Sequence, residues 1–221
     1  MNNARLSLDA VVFDFDGTLA KLNIDFLQMR IAVISLINSF GVSTDSIKAL
    51  FVLEMIEAGR RLISQNNPKQ ESSYHRLAND LIEHIEIEAA KKGNLLDGTR
   101  EMLDELKSRK IKTGVVTRNC QSAVNHVFPD IFTYFDAVLT RDHTPLVKPH
   151  PEHLRLTLHE LQVAPECTSM VGDHPMDIKI GRDVGVLTMG VLTGASSLKD
   201  LIHAKADLIL GRAPDILDII S

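Results

Sequence analysis

A change of period near residue 93 constrains the fold of this chain more than any other feature. From residue 99 onward, segments with helical spacing and short β-branched runs follow one another in turn. A helix is expected near 99–110 and a strand at 112–117. Further strands are expected at 137–140, 168–172, 186–191 and 207–210, with helices between them. Pro151 stands at a favoured first-turn position ahead of Leu154, Leu158 and Leu161. Strands that alternate with helices are joined by crossovers, which makes the sheet parallel and covers both its faces with helices.

The chain before residue 93 follows a different rule. Residues 9–15 form one apolar, β-branched run that ends at Gly17-Thr18, as a buried strand running into a turn does. Three helical stripes follow: Phe26-Met29-Val33-Leu36-Ile37-Phe40, then Ile47-Leu50-Leu53-Ile56, then Leu77-Leu81-Ile85. Gly41 ends the first helix, Ser43-Thr44-Asp45 offers N-cap chemistry to the second, and Asn66-Asn67-Pro68 separates it from the third. The expected organisation is a core made of residues 1–20 and 93–221, interrupted by a helical cap at 21–92. The cap would hang over the carboxyl end of the first strand, the edge where open α/β sheets bind ligands, and act there as a lid.

Composition excludes several classes of protein. A chain of 221 residues, 44% hydrophobic and 24% charged, can bury a core and is not compositionally disordered. Its net charge of -5 arises from 29 acidic against 24 basic residues, without the basic run that tracks a nucleic-acid backbone. Cys120 and Cys167 lack CxxC spacing, so neither a zinc knot nor a disulfide framework is indicated, and a reducing cytosol fits. No apolar run approaches the roughly 18 residues of a membrane span. Asp14 cuts short the Val11-Val12-Phe13 stretch and excludes a signal peptide. The expectation is a cytoplasmic monomer or homodimer that acts on a small molecule, with neither nucleic acid nor membrane as partner.

The ends of the expected strands carry chemistry. Asp14 and Asp16 close the first strand, and Gly17 lets the backbone turn at once, setting one carboxylate in the site and the second beside it. Acids on an apolar strand are costly to bury unless a metal or a proton offsets the charge. Read alone, Asp16-Gly17 is also an ordinary turn pair. Thr117 follows Gly114-Val115-Val116, and its hydroxyl with the neighbouring N–H groups suits a phosphate oxygen. Lys148, held extended by Pro149, is a compact positive charge that can neutralise a nucleophile and a transferred group. Asp173, after Met170-Val171-Gly172, can reach a metal, and Asp177 one helical turn on can support either that metal or Lys148. Hard carboxylates without paired His or Cys favour magnesium over zinc.

These residues fall into four motifs: Asp14-Phe15-Asp16-Gly17-Thr18-Leu19, Val116-Thr117-Arg118-Asn119, Lys148-Pro149-His150-Pro151-Glu152 and Gly172-Asp173-His174-Pro175-Met176-Asp177. In this order they resemble the haloacid dehalogenase-like hydrolase superfamily, in its phosphoglycolate-phosphatase-like branch. The resemblance implies a Rossmann-like three-layer α/β/α core with an inserted α-helical cap. It further implies a Mg2+-dependent phosphatase in which Asp14 attacks phosphorus to give an aspartyl-phosphate and Asp16 protonates the leaving oxygen and then activates water. Mg2+ would be held by the carboxylates of Asp14 and Asp173 and the backbone carbonyl of Asp16, with Asp177 behind them. Thr117, Arg118, Asn119 and Lys148 would bind substrate. Dehalogenases of the superfamily lack an acid at the position of Asp16, so that residue points to phosphoryl transfer from oxygen.

Arg118 stands where many relatives carry Asn. Lys21, Arg60, Arg61 and Arg118 are candidates to meet a substrate carboxylate, although solvated helix faces account for them more simply. His143, His150, His153 and His174 sit on different loops without ligand spacing, and one or two of them read as ordinary imidazoles at a pocket rim. Two further readings remain: a mutase of the β-phosphoglucomutase type, and a non-catalytic protein that keeps the fold and binds phosphate.

Overall fold

The protein is described by a computed structural model covering residues 5–221. In chain order, β1 (Ala10–Phe13) and β2 (Ala20–Lys21) are followed by α1 (Phe26–Ser39), α2 (Val52–Asn66) and α3 (Glu71–Ala90). Next come β3 (Asn94–Leu95), α4 (Thr99–Ser108), β4 (Lys112–Val116), α5 (Gln121–Val127), α6 (Ile131–Tyr134) and β5 (Ala137–Leu139). The chain ends with α7 (Glu152–Leu161), β6 (Thr168–Gly172), α8 (Pro175–Val184), β7 (Leu187–Val191), α9 (Leu198–His203) and β8 (Leu208–Leu210). Two compact units result, one of residues up to Leu22 and from Gly93 onward, the other of Asn23–Lys92.

The first unit is built on a 6-stranded parallel sheet in the order β5-β4-β1-β6-β7-β8. The chain fills one side of β1 with β4 and β5, then crosses to the other side with β6, so β1 and β6 flank the point where the winding reverses. The crevice of an open α/β sheet lies at such a reversal, beyond the carboxyl ends of the strands. Phe13 pairs with both Val115 and Val171, which brings the ends of β4, β1 and β6 level with one another. One face of the sheet buries Ala10, Val12, Val116, Leu139 and Met170 against Leu154, Leu158 and Leu161 of α7 and Ile180 of α8. The strands are apolar on both sides because helices cover both faces.

The antiparallel pair β2 and β3 was not legible in the sequence. Ala20 faces Leu95 and Lys21 faces Asn94. Leu19 O accepts from Leu96 N at 2.9 Å and from the Thr99 hydroxyl at 3.0 Å. This short ladder keeps Lys21 and Leu22 with the sheet unit, two residues beyond the break expected after residue 20.

The second unit packs Met29, Val33 and Ile37 of α1, Met55, Ile56 and Ile63 of α2, and Tyr74, Ala78 and Ile82 of α3 into one core. Three details differ from the stripes read in the sequence. Phe26 opens α1 and is exposed, ahead of the packed turns. The buried line of α3 runs Tyr74-Ala78-Ile82-Glu86, with Leu77 exposed and Leu81 and Ile85 at its flank. Gly59 of α2 admits the close approach of Tyr74: a Cβ there would stand 2.7 Å from its hydroxyl, which donates to Ile56 O at 3.2 Å.

The third difference is that α2 starts at Val52 and not after Ser43-Thr44-Asp45. Arg30 Nη1 donates to Lys48 O and to Leu50 O, each at 2.7 Å, and so takes carbonyls that a helix running through residue 48 would need. Ser43 and Asp45 bond to each other instead of capping a helix. Among the described residues no helix is long and apolar enough to cross a membrane.

Candidate active site

The site assembles in the sheet unit from strand ends that register has made level. Asp14 follows β1 directly, its N–H donating to Val171 O at 2.8 Å, and is buried. Lys148 reaches it from the segment before α7, with Nζ 2.6 Å from Asp14 Oδ1 and 2.7 Å from Asp177 Oδ1. Asp177 lies in the first turn of α8, and its other oxygen accepts from His174 N at 3.1 Å. Asp173 follows β6, and its Oδ2 accepts from Ala195 N at 2.9 Å. One oxygen from each of Asp14, Asp173 and Asp177 can be chosen so that all lie within 4.8 Å of one another.

Gly17 is what allows this approach. It adopts φ +86°, a conformation costly for other residues, and a Cβ there would stand 2.7 Å from Asp173 Cγ. The turn after Asp14 therefore serves both the change of chain direction and the space required by a carboxylate from another strand.

The electrostatics are unbalanced. Burial drives the Asp14 carboxyl well above its usual pKa; Lys148 opposes this, and Asp177 and Asp173 add to it. Asp173 is likewise raised, by burial first and then by Asp177. Burial pulls the Lys148 ammonium down, yet the Asp14 and Asp177 carboxylates outweigh that and hold it protonated. One ammonium cannot neutralise the three carboxylates of the cluster, so with all three ionised two negative charges would be left in a desolvated space. A divalent cation would balance them, and a donor set of carboxylate oxygens alone suits a hard ion. The residues present therefore fit a metal.

The other residues singled out in the sequence are placed as follows. Thr117 is buried at the end of β4, where its Oγ1 accepts from Asn119 N at 3.2 Å; Asn119 is buried too. The Asp16 carboxylate lies outside the acidic cluster, its Oδ1 accepting from Leu22 N at 2.9 Å. Arg118 directs its guanidinium to the Lys148 carbonyl and to Met176 Sδ, tying together the segments that carry Lys148 and Asp177. Arg60 is paired with Glu57 and Glu71, while Arg61 and Lys21 are exposed.

The histidines divide. His143, His150 and His174 each use Nδ1 to accept a nearby backbone N–H. His153 is no rim residue: it is fully buried, accepts Lys148 N on Nδ1 and lies 3.1 Å from Leu139 O through Nε2. That pair of contacts requires a neutral ring protonated on Nε2. Burial, with the nearby Lys148 charge, lowers its pKa to about 3. Sequence reading also passed over Thr193, Gly194 and Ala195, which follow β7 and touch the Asp14–Gly17 turn and Asp173.

Fold and site together define a doubly wound α/β protein with an acid-lysine-acid centre at the reversal of its sheet. The chain belongs to the haloacid dehalogenase-like hydrolase family, whose family model matches residues 11–191. It is 32% identical over 187 residues to a haloacid dehalogenase-like hydrolase domain-containing protein of Arabidopsis thaliana, covering 84% of this chain and 71% of that one. It is also 29% identical over 223 residues to the pyrophosphatase PpaX of Oceanobacillus iheyensis, covering 97% and 98% of the two chains. Among solved structures, a haloacid dehalogenase-like family hydrolase from Streptococcus pneumoniae aligns with a TM-score of 0.65 at 18% identity, over 96% of this chain and 97% of its own. CbbY from Rhodobacter sphaeroides, solved in complex with phosphate, aligns with a TM-score of 0.63 at 20% identity, over 95% and 96%. These two likenesses concern the fold.

Proposed function

We propose that the protein is a magnesium-dependent phosphatase that hydrolyses a small phosphorylated metabolite through an aspartyl-phosphate on Asp14. The observation that carries this reading is the buried Asp14 carboxylate, 2.6 Å from Lys148 and grouped with Asp173 and Asp177 at the crevice of the sheet. The relatives named pyrophosphatase, matched over almost their whole length, support phosphoryl chemistry and bring inorganic pyrophosphate into the substrate panel.

In the proposed reaction an Asp14 oxygen attacks phosphorus while the bond to the leaving oxygen breaks and Asp16 gives that oxygen its proton. Asp16 then takes a proton from water, whose oxygen displaces Asp14 from phosphorus. Lys148 draws charge from the nucleophile and from the phosphoryl oxygens, helped by the Thr117 hydroxyl and by Asn119. Asp177 keeps Lys148 aimed at Asp14. The carboxylates of Asp14 and Asp173 and the carbonyl of Asp16 would hold Mg2+, which when bound supplies positive charge to the transferring group.

Asp14→Asn is expected to lower Mg2+-dependent phosphate release by a factor on the order of 10³ or more while circular dichroism stays native. The assay runs over phosphoglycolate, sugar phosphates, nucleotides and pyrophosphate. Full activity in that variant would refute the assignment, and isomerisation of hexose 1-phosphates without phosphate release would replace it with a mutase.

A further inference from the structure

After β7 the chain passes through Leu192, Thr193, Gly194 and Ala195 before α9, a segment that the proposed chemistry does not use. Two hydrogen bonds attach it to two different strand ends. The Thr193 hydroxyl donates to the Gly17 carbonyl at 2.6 Å, within the turn that carries Asp14 and Asp16. The Ala195 N–H donates to Asp173 Oδ2 at 2.9 Å. Between these anchors Gly194 lies against the same carboxylate: a Cβ there would stand 1.9 Å from Asp173 Oδ2 and 2.2 Å from Cγ. Gly17 approaches that carboxylate as well, since its own Cβ would stand 2.7 Å from Cγ. Asp173 is thus packed closely against two glycine backbones, with one oxygen taken by an N–H.

We propose that Thr193, Gly194 and Ala195 form a clasp that fixes the Asp173 carboxylate for the divalent cation, reserving one oxygen for the backbone and leaving the other as ligand. The clasp also locks the Asp14–Gly17 turn to the same frame through the Thr193 hydroxyl, so the acid after β1 and the acid after β6 cannot drift apart independently. Partners of this kind orient the ligands of a metal, and their loss typically weakens binding by about 10- to 100-fold. The inference rests on the metal-dependent reading above. Thr193, Gly194 and Ala195 are positioning residues, because they act through Asp173 and Gly17.

The test is calorimetric titration of the full chain with Mg2+, with no substrate present. Thr193→Val removes the hydroxyl at nearly constant volume and is expected to weaken Mg2+ binding by about tenfold, with Thr193→Ser restoring it. Gly194→Ala places a methyl group on the Asp173 carboxylate and is expected to weaken binding at least as much. Melting temperatures in EDTA separate this from a general loss of stability. If Thr193→Val and Gly194→Ala melt lower in EDTA but bind Mg2+ like the wild type, the clasp is overturned and the phosphatase reading stands. If the wild-type protein itself binds no Mg2+, both fall.

Discussion

His153 lies behind Lys148 and is held neutral, since protonating Nδ1 would destroy the bond from Lys148 N and place a cation beside an ammonium. Its pKa of about 3 lies well below the 6.5 of an unperturbed ring. The unfolded chain therefore binds the extra proton first as pH falls. Stability from this residue is complete above pH 6.5 and is lost progressively on descent toward pH 3, at up to about 1.4 kcal/mol per pH unit. Urea unfolding at pH 7 and pH 5.5 is expected to show this loss in the wild type and a flatter dependence in His153→Gln; equal slopes would refute the account. Most of the acid-lysine-acid centre was legible because Asp14 and Asp173 directly follow apolar strands, while Lys148 and Asp173 adjoin a proline and a glycine. Which of four neighbouring histidines lies inside was not legible, because only the packing of α7 on the sheet decides it. Thr193 was missed for a related reason: its partner Gly17 is 176 residues away along the chain.

At the scale of elements, the start of α2 is decided by a residue on another helix. Ser43-Thr44-Asp45 has the chemistry of an N-cap, but Arg30 of α1 holds the carbonyls of Lys48 and Leu50 and keeps the segment in turns. Arg30→Met is expected to cost about 1–3 kcal/mol in denaturant unfolding, as two charge-assisted bonds are lost. Hydrogen exchange should localise the change to residues 45–51, and unchanged protection there would contradict the role given to Arg30. The strands of the large sheet were readable because they are buried on both sides and appear as continuous apolar runs. The two-residue strands β2 and β3 are too short to show any period, so nothing in the sequence distinguished them from loop. The face of α3 was misplaced by one position because Tyr74 and Ala78, and not the larger aliphatic side chains, face the core.

For the whole molecule, the surplus of negative charge in the sheet unit links folding to ion binding. A ligand that binds only the folded state at a hundred times its Kd adds about 2.7 kcal/mol, which for a chain of this size raises the melting temperature by roughly 5–10 °C. Scanning calorimetry in EDTA and in saturating Mg2+ should show that difference in the wild type and little of it in Asp173→Asn; superimposable wild-type curves would show that the acidic cluster holds no ion. The β2–β3 ladder has a different consequence. It places the two points where the helical unit leaves and rejoins the sheet unit on adjacent strands, within the span that any hairpin closes. Insertion there leaves the hydrogen-bond register of the six strands untouched. The junction has the form of a graft site: a different folded insert could join there while β1, β4 and β6 stay as they are.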